Sequence, residues 1–360
     1  MHFLTPVSII SLDLLCYKGK IDNFTLYNER PVSNISLDLL CYRGNIDNFT
    51  LYNEFHMLAF SNYPNVQYVF FIGLLFIYLF GMLGNMLVTL IVCRTQQLHT
   101  PMYFFLCNLT VLDILYISAI LPKLLFITIT GDTIISYQGC FTQVFFYVFC
   151  IGTEFFLLTS MAYDRYIAIC IPLHYILIMS KIICLTLSLF CIILGTFNAL
   201  MYVLLISKLS FYSFSEINHF FCHMKTILSI SCSDSSSISV LINVDGLVLG
   251  LLPFILILIS YMYIISTVMK IHTSSGRLKA FSSCSAHITI VLLFCLTSLT
   301  LNIKPESRFS QEQNKLLSIL YIGVVPMLNP LVYSLRNQEV KKAIKKLFQD
   351  INQCFCHDKM

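Results

Sequence analysis

Apolar windows of about 20 residues or more recur along this chain, and charged residues close each of them. At about 1.5 Å per residue, such a window spans the roughly 30 Å hydrocarbon core of a bilayer as a helix. Ile182 to Ser207 lies between Lys181 and Lys208, Ala280 to Ile303 between Lys279 and Lys304, and Leu316 to Leu335 between Lys315 and Arg336. One window follows Glu54 and runs to Arg94, and Gly246 to Met269 follows Asp245. Two more carry a single internal acid: Pro101 to about Phe126 holds Asp113, and Tyr137 to Cys170 holds Glu154 and ends in Asp164-Arg165. These make seven spans, and an all-α membrane bundle is expected from them. Composition agrees, with 57% hydrophobic and 11% charged residues in 360, against about 25% charged in a soluble domain. So few charges cannot cover the surface of a soluble enzyme of this length. The net charge of +4 is too small for a nucleic-acid footprint, so no nucleic-acid partner is expected.

Seven spans put the two ends of the chain on opposite sides, and the Lys/Arg bias orients them. With the N-terminus outside, the inner segments hold 12 bases against the four acids Asp164, Glu339, Asp350 and Asp358, a surplus of eight. The sequons at Asn23, Asn34 and Asn48 all precede the first span, where glycosylation can occur. Three parts follow: an extracellular tail over 1–66, a seven-helix domain over 67–336 and a cytoplasmic tail over 337–360. The first of these contains a tandem repeat, residues 6–29 recurring at 31–54 with changes only at Ile9/Asn34, Lys18/Arg43 and Lys20/Asn45. Two copies cannot build a solenoid core, so we read a duplication in a solvent-facing tail. In the cytoplasmic tail Val340, Ile344, Leu347 and Phe348 share one helix face, flanked by Lys341, Lys342, Lys345 and Lys346. That pattern suits a short amphipathic helix on anionic lipid, with Cys354 and Cys356 open to acylation, although a solvated basic tail is the plain alternative.

Several strings resemble one family. They are Gly84-Asn85, LHTPMYFFL at 98–106, MAYDRYIAICIPLHY at 161–175, KAFSSCSAH at 279–287 and PMLNPLVYSLRN at 326–337, in order and at the expected places among the spans. The chain resembles an odorant receptor of the rhodopsin-like G-protein-coupled class from about Asn48 to about Lys346. The resemblance implies a multi-pass receptor in the plasma membrane that binds a small apolar odorant and activates a stimulatory, olfactory-type G protein, raising cyclic AMP.

It also implies a switch made of Asp164, Arg165, Tyr166, Tyr261, Asn329, Pro330 and Tyr333. An aspartate beside an arginine at a wet boundary can hold the guanidinium until a partner offers better acceptors. The triplet alone would better suit a snorkelling interfacial arginine, and it is the flanking string that favours the switch. Pro330 removes a backbone hydrogen bond in mid-span and makes a hinge, and Pro253 with Tyr261 forms a similar pair. Asp113 and Glu154 have no basic partner in their own helices. Buried in a membrane, each must be neutral, paired or bound to a cation. With Asn85 and Asn329 they form either a resting-state sodium site or a pair of protonated, hydrogen-bonded acids, and no other metal or cofactor is expected. A proton- or ion-coupled transporter using Asp113 and Glu154 is the competing class, although no inverted repeat supports it.

On the outer side the family staple would join Cys140 to Cys222; His219, Cys222 and His223 could instead be read as a metal cluster. Cys232 is expected to be unpaired, because the family's partner position is Tyr212. Helix-facing arithmetic places Tyr147, Val148 and Ile151 on the ligand face of the third helix, opposite Asp245, Leu249, Ser298, Asn302, Ile319 and Ile322. Asp245 is either an anchor for an amine or a hydrogen-bonding odorant, or a solvated loop acid. The sequence departs from the family at Phe294-Cys295-Leu296, where Phe-Tyr-Gly is usual, and it has no tryptophan. These departures keep open a weakly functional receptor remnant.

Overall fold

The computed structural model describes residues 54–60, 67–211, 215–303, 308–336, 340–346 and 349. The sequons Asn23, Asn34 and Asn48, the first repeat copy and most of the second lie outside the described residues. Side chains at 279–283, 286, 296–303, 308–312 and 333–336 do too, among them Ser298, Asn302 and Tyr333.

Strand β1 (Glu54–Met57) precedes the first helix, α1 (Gln67–Arg94). Helix α2 (Pro101–Thr130) opens with proline at its first turn, which needs no amide donor there, and closes at Gly131 in the left-handed region, φ 74°. Strand β2 (Ile134–Ser136) leads into α3 (Tyr137–Cys170), whose N-cap Ser136 hydroxyl accepts from the Gly139 amide at 3.1 Å. Helix α4 (Lys181–Ile206) is capped the same way by Ser180. After strand β3 (Glu216–Ile217) come α5 (Ser236–Met269), α6 (Ser274–Ile303) and α7 (308–336). Among the described residues six helices are long and apolar enough to cross a membrane, from α1 to α5 and the Gln313–Val332 part of α7. Helix α6 occupies the remaining window.

Helices α2 and α3 are central, buried along most of their apolar lengths, whereas α1, α4 and α5 present rows of exposed apolar side chains such as Ile72, Phe76, Phe197, Leu204, Leu252 and Met262. Water would penalise such rows; lipid does not. The close approach of α1 to α7 depends on Gly84, where a Cβ would stand 2.9 Å from the Pro330 ring. Helices α5 and α7 each contain a π-helical turn, Gly246–Leu251 and Leu320–Val324.

The end of the bundle where α1 begins, called outer after the orientation expected from the Lys/Arg bias, is roofed by a three-stranded sheet in the order β2-β1-β3, antiparallel on one side of β1 and parallel on the other. Residues 54–60, the last of the stretch read as a free tail, therefore belong to the roof. Phe55 and Met57 are fully buried, and the Lys315 ammonium, itself buried, donates to the Ala59 carbonyl at 2.9 Å. The Cys140–Cys222 disulfide ties the second outer loop to the start of α3, as the family resemblance implied, and rules out Cys222 as a metal ligand. Cys232 corrects the expectation of a free thiol: it is disulfide-bonded, and its partner lies outside the described residues. At the inner end residues 340–346 are helical, with Val340 buried, Ile344 half-buried and Lys341, Lys342, Lys345 and Lys346 exposed. Leu347 and Phe348 lie outside the described residues.

Candidate functional site

Three groupings line up along α3, from its outer to its inner end. The outermost is a cavity of about 170 Å³ between α3, α4, α5 and the second outer loop. Tyr147, Val148, Ile151, Asp245 and Leu249, five of the residues assigned from helix periodicity, line it. Asp245 was the first charge outside the fifth apolar window; in the fold α5 begins at Ser236, so this acid sits inside the span and faces the cavity. Its Oδ2 is buried without a hydrogen-bond partner, and the Tyr202 hydroxyl of α4 lies against the same carboxylate. Ile319 and Ile322 are buried but are not among the residues lining this cavity. Tyr321, within the π-helical turn at Leu320–Val324 where the winding departs from 3.6 residues per turn, lines the cavity from α7. Sequence periodicity also missed Asn198, Tyr202, His223 and Lys225, because α4 and the outer loop reach the cavity only through tertiary packing.

Aromatic contacts run inward from the cavity. Tyr147 meets Tyr116 at 6.0 Å between ring centroids, Tyr116 meets Tyr321 at 6.0 Å, Tyr321 meets Phe294 at 5.2 Å and Phe294 meets Phe155 at 4.6 Å. Tyr321 of α7 thus stands beside Phe294 and Cys295, where the family's helix 6 tyrosine is missing.

Below lies a polar cluster. Asp113 and Glu154 are buried, at 2% and 4% exposure, and lie within electrostatic reach of one another. The Asn329 amide donates to Asp113 Oδ2 at 2.8 Å, and the Asn85 amide donates to the carbonyls of Gly81 at 2.9 Å and Pro326 at 3.0 Å. The Pro326 carbonyl lies four residues before Pro330, which has no amide to bond it, so Asn85 supplies the missing donor. Asn85 Oδ1, Asn329 Oδ1 and Glu154 Oε1 remain buried with no partner. Such orphaned oxygens beside two carboxyls fit a hard monovalent cation, whose ligands are oxygens. The described residues hold no group of three or more His, Cys, Asp or Glu that would suit a metal site of another kind.

The inner grouping contains the ion pair. Arg165 lies 3.1 Å from Asp164 Oδ2, and the Tyr175 hydroxyl donates to Asp164 Oδ1 at 2.8 Å, a second contact that the sequence did not reveal. Burial and the neighbouring carboxylate raise the Tyr175 hydroxyl above its ordinary pKa, so it stays a donor. Tyr166 packs edge-on against Tyr263 of α5. His287 of α6, quoted in a motif but given no role, joins three helices: Nδ1 shares a 2.6 Å hydrogen bond with the Tyr261 hydroxyl of α5, and Nε2 lies 3.1 Å from the Leu158 carbonyl of α3. A buried histidine beside a mid-helix tyrosine was the available signal.

Fold and sequence together define a multi-pass membrane protein built as a seven-helix bundle, with a cavity toward one end and the Asp164–Arg165 pair toward the other. The family model described as olfactory receptor matches residues 74–351. Olfactory receptor 1G1 of Gorilla gorilla gorilla is 43% identical over 293 residues, covering 81% of this chain and 94% of that protein. Olfactory receptor 5AR1 of Mus musculus is 41% identical over 294 residues, covering 81% and 94%. Olfactory receptor 10A6 of Homo sapiens is 40% identical over 295 residues, covering 82% and 94%. The chain belongs to the olfactory receptor family.

Proposed function

We propose that the protein is an odorant receptor of the plasma membrane, not an enzyme, with its N-terminus outside. A small, largely apolar odorant occupies the cavity lined by Tyr147, Val148, Ile151, Asp245 and Leu249. Its binding biases the bundle toward a state in which Arg165 leaves Asp164 and meets a stimulatory heterotrimeric G protein, raising cyclic AMP. The observation that carries this reading is the continuity of α3: one helix bears the cavity wall, Glu154 and the Asp164-Arg165 pair.

In the resting arrangement Asp164 and Tyr175 hold the inner end of α3, while His287 ties α6 to α3 and α5. A ligand that prefers another setting of Phe155 and Tyr321 shifts Phe294 of α6 and loosens the His287 tie. Asn85, Asp113, Glu154 and Asn329 would hold a sodium ion in the resting state, which would neutralise the two carboxyls. The exposed lysines of residues 340–346 lie along anionic inner-leaflet lipid. Transporter activity has no specific support from the cavity, which abuts one end of the bundle.

The test is a cyclic-AMP reporter in cells expressing the full chain against an odorant panel, with Arg165→Ala as the control and surface labelling as normalisation. The expected outcome is an odorant-evoked signal that Arg165→Ala abolishes. A signal unchanged in the variant would refute the switch.

A further inference from the structure

The cavity's shape and charge say more about its ligand than that it is small. A volume of about 170 Å³ compares with an engineered apolar cavity of about 150 Å³ that takes benzene. That space suits a single ring or a short branched chain. Val148, Ile151, Phe155, Leu249 and Phe254 provide an apolar body site. Among the described residues lining the cavity, Asp245 is the sole carboxylate.

Asp245 is also incompletely satisfied. Tyr202 engages its carboxylate from α4, yet Oδ2 is buried with no partner. A carboxylate oxygen kept from water and left without a donor carries a desolvation cost that a ligand can remove. Gly246 and Gly250, in the π-helical turn that follows, line the cavity beside it and leave this wall free of side-chain bulk. The outer loop contributes the opposite charge, since Lys225 lines the same cavity from the roof with His223 next to it. Burial and Lys225 lower the His223 pKa to about 4, so that ring is neutral.

We infer that the ligand class is a small monoamine, protonated, whose ammonium donates to Asp245 Oδ2 while its ring or branched chain fills the apolar walls. Lys225 supplies the exclusion: a diamine of similar length would place its second ammonium toward a fixed positive charge. This rests on the odorant-receptor reading for its signalling consequence, but the binding claim stands separately.

The test uses the full chain with two readouts. In cells, cyclic AMP is recorded for benzylamine and cyclohexylamine, for their uncharged counterparts benzyl alcohol and cyclohexanol, and for the diamine 1,4-bis(aminomethyl)benzene. In detergent, the same probes are assayed by thermal shift, which needs no G protein. The expected result is that monoamines bind and the diamine does not, and that Asp245→Asn weakens the monoamines by on the order of 10- to 100-fold, the loss of one charge-assisted hydrogen bond, with Asp245→Glu retaining binding. Stabilisation by monoamines without any cyclic-AMP signal would sink the receptor mechanism and leave the ligand assignment standing. Equal binding of amines and alcohols, no binding of amines, or unchanged amine affinity in a folded Asp245→Asn variant would each overturn the assignment.

Discussion

At the scale of single residues, the buried acids differ in how far their neighbours complete them. Asp113 has the Asn329 amide, while Glu154 Oε1, Asn85 Oδ1 and Asn329 Oδ1 face inward without donors. Two carboxyls and two amide oxygens buried together repel one another unless protons or a cation intervene. A sodium ion would satisfy all of them in one setting of α1, α2, α3 and α7. We therefore expect the purified protein to unfold at a higher temperature in sodium chloride than in choline chloride of equal ionic strength. That difference should vanish in Asp113→Asn. An equal response of wild type and variant to the two salts would favour two protonated acids instead. The fit of the acids to the bundle interior was legible from sequence, because an acid deep in an apolar window, with no base within a helical turn, has nowhere else to point. Tyr175 and His287 were not legible, since neither polarity nor spacing marks a residue whose partner lies on another helix.

At the scale of elements, one side chain hydrogen-bonds α6 to both α3 and α5. His287 bonds both the Tyr261 hydroxyl and the Leu158 carbonyl, and it is 2% exposed. Replacing it with phenylalanine keeps bulk and removes both bonds, each worth about 0.5–1.5 kcal/mol net. If the tie favours the resting state, His287→Phe raises basal cyclic AMP several-fold at matched surface expression, and Tyr261→Phe gives a smaller rise. Unaltered basal signal in both would show that α6 is held elsewhere. Helix α1 meets α7 through Gly84, where an added methyl would lie 2.9 Å from Pro330 Cγ. Because a proline ring cannot swing aside, Gly84→Ala should destabilise by about 1–3 kcal/mol, lowering the unfolding temperature in detergent by a few degrees. A variant as stable as wild type would mean α1 shifts without cost. The seven windows located the helices because apolar length is a local property. Their faces were only partly legible: Tyr147, Val148 and Ile151 on regular α3 line the cavity, whereas from α7, with its π-helical turn, Tyr321 lines it rather than Ile319 and Ile322. The start of α5 was misplaced by ten residues, because Asp245 was read as a boundary when it is an interior acid with a cavity to face.

At the scale of the whole molecule, the lipid-embedded bundle is closed on its outer side by a roof of a different kind. Strands of two to four residues carry too little alternation to be read in a sequence, so β1, β2 and β3 emerge only from the fold. Under them sit His219 and His223, their rings stacked 5.3 Å apart between Lys315 and Lys225. Burial first, then the neighbouring positive charges, hold both imidazoles below the ordinary histidine pKa, His223 at about 4. In a locally opened roof the same rings would take up protons near 6.5. The open form therefore binds more protons than the closed one between about pH 6.5 and 4, and closure weakens as pH falls through that window. Above 6.5 both forms are neutral at these rings and the term is fully present. Since His223 is only partly buried by surface area, the loss by pH 4.5 is on the order of 2 kcal/mol. Hydrogen exchange of the loop around Phe220 and Phe221 should accordingly quicken, beyond its intrinsic pH dependence, between pH 7 and pH 5. Exchange in the membrane-embedded part of α3 should not. His219→Phe, which keeps a ring of similar shape among Phe220, Phe221 and His223, should reduce the acid sensitivity. A roof whose protection is the same at both pH values would place the source of its closure in the Cys140–Cys222 bridge and the buried Phe55 and Met57 alone.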